Sequence, residues 1–389
     1  MRGVWSRNVV SLTVYNAFRG FAVGGFITLL PMYMKYLGYS MNSIGGVISI
    51  ASILLSLILP LIGYLIDKYG SRLMVSATGL LLILAIIQAI LAGNLIALGL
   101  AYGLFLFSFL AGQPARMNFL ASSVGIYRMG EAVGATSSMF SASRTIGPLA
   151  AGVIARLWGF KYAFTSLALA AIIGLAAFIL LSEPVESTSK PKSVREAYRY
   201  LLRPPRNFAF VLGFVSLDRF AWSLWFPMLS AHLYASGFQE DEVGYIITLT
   251  GVVRTAILPF VGKLVDELGA WLGLVVGEIT GLVTALLYSE PMGWLRVIVA
   301  SIMMGVSIAV WIPSYNSLIA KVAGGTGGAY AAANTARSLL GSPAPVTGGY
   351  LYDAIAPSAP FIASSILLTA ATLYSLFLLR RVEGARTIQ

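Results

Sequence analysis

The sequence predicts an all-α polytopic membrane protein, two six-helix bundles related by pseudo-two-fold symmetry, and three observations carry that prediction. Of 389 residues, 58% are hydrophobic and only 11% are charged, whereas a soluble domain usually carries about 25% charged residues. Apolar stretches long enough to cross the hydrocarbon core as helices, about 20 residues each, recur from one end to the other. Landmarks of the first half return in the second at a displacement of 199 residues.

The elements follow in order. Apolar spans fall at about 9–36, 43–66, 73–92, 95–122, 132–157 and 162–182, and then at about 208–234, 243–264, 270–288, 295–320, 327–351 and 360–379. Backbone groups in lipid must find their partners within the segment, so these spans are helices. The first stretch is too long for the core of a signal peptide and lacks a small-x-small cleavage site, so it is read as a retained membrane helix. The one long hydrophilic segment, 183–207, carries Lys190, Lys192, Arg195, Arg199, Arg203 and Arg206. It divides the chain into an N-terminal bundle at 1–182 and a C-terminal bundle at 208–389, and a short surface helix is expected within it at roughly 193–202.

Charge fixes orientation and removes several function classes. With both termini placed in the cytoplasm, 16 Lys and Arg residues fall on the cytoplasmic side and 4 on the opposite side. That asymmetry is the positive-inside pattern of a cell-membrane protein. The formal charge of +11 is spread through short loops, which argues against a nucleic-acid partner. The absence of cysteine excludes disulfides and thiolate metal sites. A single histidine, His232, excludes a multi-histidine metal cluster and is read as a solvent-side residue near the outer end of the seventh span. No nucleophile–base pair or Gly-rich nucleotide loop points to an enzyme, and no cofactor or metal is called for.

The repeat is specific. Gly63-Tyr-Leu-Ile-Asp67-Lys-Tyr-Gly70 returns as Gly262-Lys-Leu-Val-Asp266-Glu-Leu-Gly269. At the same displacement Gly38 pairs with Gly237, Gly45 with Gly244, Pro60 with Pro259 and Pro114 with Pro313. Further on, Gly134 and Arg144 pair with Gly327 and Arg337 at 193 residues. Two related halves of parallel topology are an architecture of secondary transporters, with sites between the repeats.

These residues carry a resemblance to the major facilitator superfamily that spans essentially the whole chain. Gly63-x-Leu65-x-Asp67-Lys68-x-Gly70-x-Arg72 resembles the family's loop motif between helices 2 and 3, with Leu73 in place of the final basic residue. Ser143-Arg144-Thr-Ile-Gly147-Pro148-Leu-Ala-Ala151-Gly152 resembles the helix 5 motif enriched in antiporters, with Ser143 and Ala151 in place of two glycines. Arg116 sits where the family often has a helix 4 arginine. The resemblance implies a secondary active transporter working by alternating access, in which contacts of Asp67 and Asp266 latch the halves in the outward-facing state. Physically, a carboxylate at a helix end accepts hydrogen bonds from a facing helix N-terminus. Gly147-Pro148 in span 5, and Gly341, Pro343, Pro345, Gly348 and Gly349 in span 11, are expected to kink or narrow those helices.

Charges within the spans suggest the site. Arg19, Arg116, Arg144, Arg219, Arg254 and Arg337 outnumber Asp218 and Glu278. An arginine at the helix centre costs about 2.5–3.5 kcal/mol on insertion scales, so each is expected to face the bundle interior or a watery cavity. Arg19 and Arg219 lie 200 residues apart in corresponding spans. Arginine forks onto carboxylate or phosphate with two hydrogen bonds, so the pair is read as a clamp for a small organic anion, as in organophosphate:phosphate antiporters of the superfamily. Arg254, Trp222, Tyr315 and Asn316 are candidate walls of the same cavity. Asp218, and after it Glu278, are candidates for coupling to protons. Arg144 and Arg337 also admit a structural role, bonding carbonyls freed by the kinks. The leading reading is therefore a monomeric transporter of a small organic anion; the alternative is a proton-driven multidrug exporter.

Overall fold

The computed structural model describes residues 6–124, 128–184, 203–291, 293–323 and 327–381. Among these residues all regular structure is helical. The helices are α1 (Arg7–Tyr36), α2 (Met41–Tyr69), α3 (Ser71–Leu91), α4 (Leu95–Ser123), α5 (Met129–Trp158), α6 (Phe160–Leu181), α7 (Arg206–Ser223), α8 (Leu229–Ala235), α9 (Glu240–Leu268), α10 (Ala270–Tyr288), α11 (Trp294–Ala323), α12 (Gly327–Gly341), α13 (Ala344–Ala354) and α14 (Ala359–Tyr374). The surface helix expected at 193–202 lies outside the described residues.

Ten helical stretches among the described residues are long and apolar enough to cross a membrane. The other two expected spans fall short for visible reasons. The α5 sequence is rich in Ser, Thr and charged residues, and span 11 is divided at Gly341–Pro343 into α12 and α13, of 15 and 11 residues. The seventh span is also interrupted. After Ser223 the chain passes through a single tight turn at Phe226–Met228, which holds Pro227, before α8 resumes.

Glycine sets the shortest turns. Gly70 and Gly269 have φ of 82° and 93° between consecutive helices, and Gly38 and Gly237 have 87° and 97°. A side chain is strained in that conformation, so the repeat preserves glycine at each.

The chain forms two compact units. Unit 1 comprises Met1–Leu37, Leu57–Val194 and Gly237–Thr248; unit 2 comprises Gly38–Ser56, Arg195–Ser236 and Leu249–Gln389. Within unit 1, α1 and α5 approach to backbone contact. A Cβ on Gly24 would strike the Arg144 carbonyl, and one on Gly147 would strike the Phe21 carbonyl. Small residues let membrane helices come this close, where van der Waals packing supplies the attraction that water cannot. The start of α9 packs on α5 in the same way, with Gly244 against the Pro148 carbonyl and Gly152 against the Glu240 carbonyl. Unit 2 holds the corresponding contacts, Gly45 against the Pro345 carbonyl and Gly349 against the Met41 carbonyl.

Candidate functional site

In unit 2, α7, α10, α11 and α12 bring together a buried charged cluster. Asp218 on α7 is 1% exposed and Glu278 on α10 fully buried. Their carboxyl groups face one another as neighbours. Arg337 on α12 lies 3.9 Å from Asp218 Oδ2 through its Nη2. Trp311 on α11 donates from Nε1 to Glu278 Oε1 at 3.0 Å. The Arg337 guanidinium stacks over the Trp311 ring at 4.4 Å and lies 5.8 Å from the Tyr315 ring. Tyr315 stacks on Trp311, with ring centres 4.8 Å apart, and donates its hydroxyl to Asn334 Oδ1.

Two carboxyl groups therefore share one guanidinium partner at close range. Both Asp218 oxygens and Glu278 Oε2 have no hydrogen-bond partner among the described residues. Two carboxyl groups face one guanidinium, so the arrangement can hold a proton between them, and without that proton Asp218, Glu278 and Arg337 sum to one negative charge. Arg219, next to Asp218 in sequence, contributes a further positive charge nearby. The stem of Arg219 packs at Gly341, at the end of α12.

The other candidate wall residues differ in setting. Trp222 is half-buried, packs with Trp225 at 5.2 Å and lies over Gly281 of α10. Arg254 is half-buried on α9, and Asn316 is exposed on α11, its carbonyl accepting from Tyr330. His232 is not solvent-side. It is 2% exposed, with Nε2 2.9 Å from the Tyr288 carbonyl and Nδ1 3.1 Å from the Tyr352 hydroxyl. The interruption before α8 carries this short helix inward, so that its polar ring is satisfied by protein rather than water.

In unit 1 Arg19 on α1 and Arg116 on α4 lie side by side. Arg19 is 1% exposed and Arg116 9%. Their guanidinium groups lie 5.5 and 5.7 Å from the same Phe140 ring. Arg19 donates from Nη2 to the Ser108 carbonyl at 3.2 Å. Arg144 on α5 lies over the Phe109 ring.

Of the loop-motif residues, Asp67 is half-buried on the last turn of α2. Arg72 donates to Ser182 Oγ at 2.9 Å and to the Ile179 carbonyl at 3.0 Å, closing the C-terminal end of α6, where a positive charge is favoured. The surroundings of Gly63 and Gly262 and the side chain of Asp266 lie outside the described residues.

Sequence reasoning missed the groups that repair the prolines. Pro148 has no N–H, which leaves a gap in the α5 ladder. The carbonyl so deprived is that of Arg144, four residues back; Thr248 serves the next rung, donating to the Thr145 carbonyl at 2.9 Å and accepting from the Leu149 N–H at 3.2 Å. In unit 2, Ser49 accepts from the Val346 N–H at 2.9 Å, just after Pro345. Ser49 and Thr248 are 199 residues apart, so the repeat itself held the signal. Asp353 was also missed: its carboxylate accepts from the Met41 and Asn42 N–H groups at 3.3 and 2.7 Å and caps α2.

The chain matches known proteins along most of its length. The model of the Major Facilitator Superfamily matches residues 12–345. The chain is 25% identical over 358 residues to Multidrug resistance protein 2 of Bacillus subtilis, covering 87% of each protein. It is 25% identical over 408 residues to the multi-drug resistance efflux pump PmrA of Streptococcus pneumoniae, covering 99% of each. Among solved structures, a variant of the nucleoside transporter NupG superposes with a TM-score of 0.72 at 16% identity, covering 97% of this chain and 100% of that one. A POT family transporter superposes with a TM-score of 0.76 at 15% identity, covering 98% and 97%.

Proposed function

Because the chain belongs to the major facilitator superfamily and is a multi-pass membrane transporter rather than an enzyme, we propose that it is a proton-driven exporter of hydrophobic compounds. The observation that carries this reading is the pair of facing carboxyl groups, Asp218 and Glu278, with Arg337 3.9 Å from the first. With one proton between them Asp218, Glu278 and Arg337 sum to zero; without it these three groups hold one negative charge, which Arg219 nearby offsets in part. A proton and a cationic substrate then compete for the same charge, which is the condition for exchange of one against the other. Trp222, half-buried beside the cluster, offers an aromatic face to such compounds. The relatives named as a multidrug resistance protein and a multi-drug resistance efflux pump support the same reading.

In this proposal both termini lie on the cytoplasmic side of the cell membrane, and a single chain is the working unit. The bundles at 1–182 and 208–389 alternate access to the two sides, with the Asp67 and Asp266 motifs, Arg72, and the kinks at Gly147-Pro148 and after Arg337 serving the exchange of states. The reading as a transporter of a small organic anion through Arg19, Arg219 and Arg254 keeps support from one observation, the absence of a described acidic partner for Arg19 and Arg116.

Reconstitution in proteoliposomes tests the proposal, with an imposed pH gradient and ethidium as the probe. The native protein should accumulate ethidium against its concentration gradient. Asp218→Asn and Glu278→Gln should each weaken ethidium binding, make it insensitive to pH, and lose gradient-driven accumulation. Undiminished accumulation in the double variant would remove the carboxyl pair from the mechanism. Gradient-driven uptake of small carboxylates, with no response to ethidium, would replace the exporter by the anion transporter.

A further inference from the structure

We infer that unit 1 contains a binding site for one small anion, formed by Arg19 and Arg116 at Gly112. The inference stands on unit 1 alone and does not depend on the exporter reading. Both side chains are at least nine-tenths buried, and neither takes part in an ion pair among the described residues. Arg19 Nε and Nη1 and Arg116 Nη1 are buried without a hydrogen-bond partner of good geometry, and the Tyr15 hydroxyl is the neutral polar group beside Arg19. Two like charges thus lie side by side in a low-dielectric interior, with several donors that meet no acceptor. Water can satisfy an N–H but cannot neutralise a guanidinium; a compact anion does both.

Geometry locates the point of convergence. A Cβ built on Gly112 would lie 2.7 Å from Arg116 Nη1, 3.1 Å from Thr78 Oγ1 and 3.3 Å from Arg19 Nη2. The repeat supplies an internal comparison. At the displacement of 199, Glu278 and Trp311 of unit 2 correspond to Gly79 and Gly112 of unit 1. In unit 2 that acid sits in the cluster of Arg337 and that indole stacks under it. In unit 1 both have become glycine, so the acid is gone and side-chain bulk is gone with it. The replacement for the missing carboxylate is a ligand of the same chemistry: one compact negative charge that accepts several N–H donors, a halide or a carboxylate group. The carboxylate can come from a free ion or from a transported molecule.

The test uses the full-length protein in detergent, dialysed into gluconate as a bulky anion and titrated with chloride, acetate or phosphate at constant ionic strength. At least one of these should raise Tm saturably. The rise should vanish in Arg116→Gln, and in Gly112→Ala, which keeps both charges and fills the convergence point with a methyl group. Should Gly112→Ala fail to fold, Arg116→Lys serves instead, expected to weaken the half-saturating concentration at least tenfold. No saturable rise with any of the three anions, or the same rise in the variants, overturns the proposal. Movement of the radiolabelled stabilising anion in proteoliposomes marks it as a substrate; saturable binding without movement marks it as a resident counter-ion. Either result supports the site, and neither bears on ethidium export, so the two readings fail separately.

Discussion

Replacing Arg337 by Gln removes the cation that faces Asp218 and Glu278. At 3.9 Å, the Coulomb attraction between Arg337 and Asp218 is about 4 kcal/mol at an effective dielectric constant of about 20. The Trp311 face, 4.4 Å from the guanidinium, adds about 1 kcal/mol. Desolvation offsets much of this, so the pair is not worth the sum; breaking it from one side is what costs, at about 3–5 kcal/mol for a buried pair. Since 29% of the Arg337 side chain is exposed, the lower end of that range, about 3 kcal/mol, is expected. On the scale of a 150–250-residue unit this lowers Tm by about 6–12 °C. The double variant Arg337→Gln/Asp218→Asn removes both charges and should recover at least about 2 kcal/mol of the summed single losses. The assay is unfolding of the four proteins in one detergent, read as a double-mutant cycle. Additivity within about 0.5 kcal/mol would mean that the two groups do not act on one another, and the shared-charge argument for the carboxyl pair would fall.

Two further outcomes concern the helix ends and breaks. Thr248→Val strands two hydrogen-bonding groups of α5 whereas Ser49→Ala strands one N–H at α13, so the losses should be about 2–4 and about 1–2 kcal/mol; thermal unfolding giving the reverse order would refute the repair. Asp353→Asn keeps the outline of the α2 cap but removes its charge and one of its two acceptors, and should cost about 1–2 kcal/mol at low salt; a loss unaffected by raising salt would assign the effect to the lost acceptor rather than the charge.

Much of the fold was legible because a bilayer leaves few choices. Long apolar runs must be helices, and a displacement of 199 residues shared by glycines and prolines from Gly38 to Pro313 exposes the duplication. The same logic marked Arg19, Arg116, Asp218, Glu278 and Arg337 as residues requiring partners, since each is costly at membrane depth. What the sequence did not contain was the identity of those partners. Arg337 meets Asp218 and Trp311, and Arg19 meets Arg116, because helices distant in the chain pack side by side within a unit, and rotation about each helix axis decides which side chains face. The interruption around Pro227 turned His232 from solvent into protein, an outcome that hydropathy averaged over a span does not register. Thr248 and Ser49 looked like ordinary polar residues until backbone contact through Gly244 and Gly45 put their hydroxyls against the backbone just after Pro148 and Pro345. Periodicity and composition determine which segments are helices; close packing decides which charges meet, because that depends on ångström-scale approach between segments far apart in sequence.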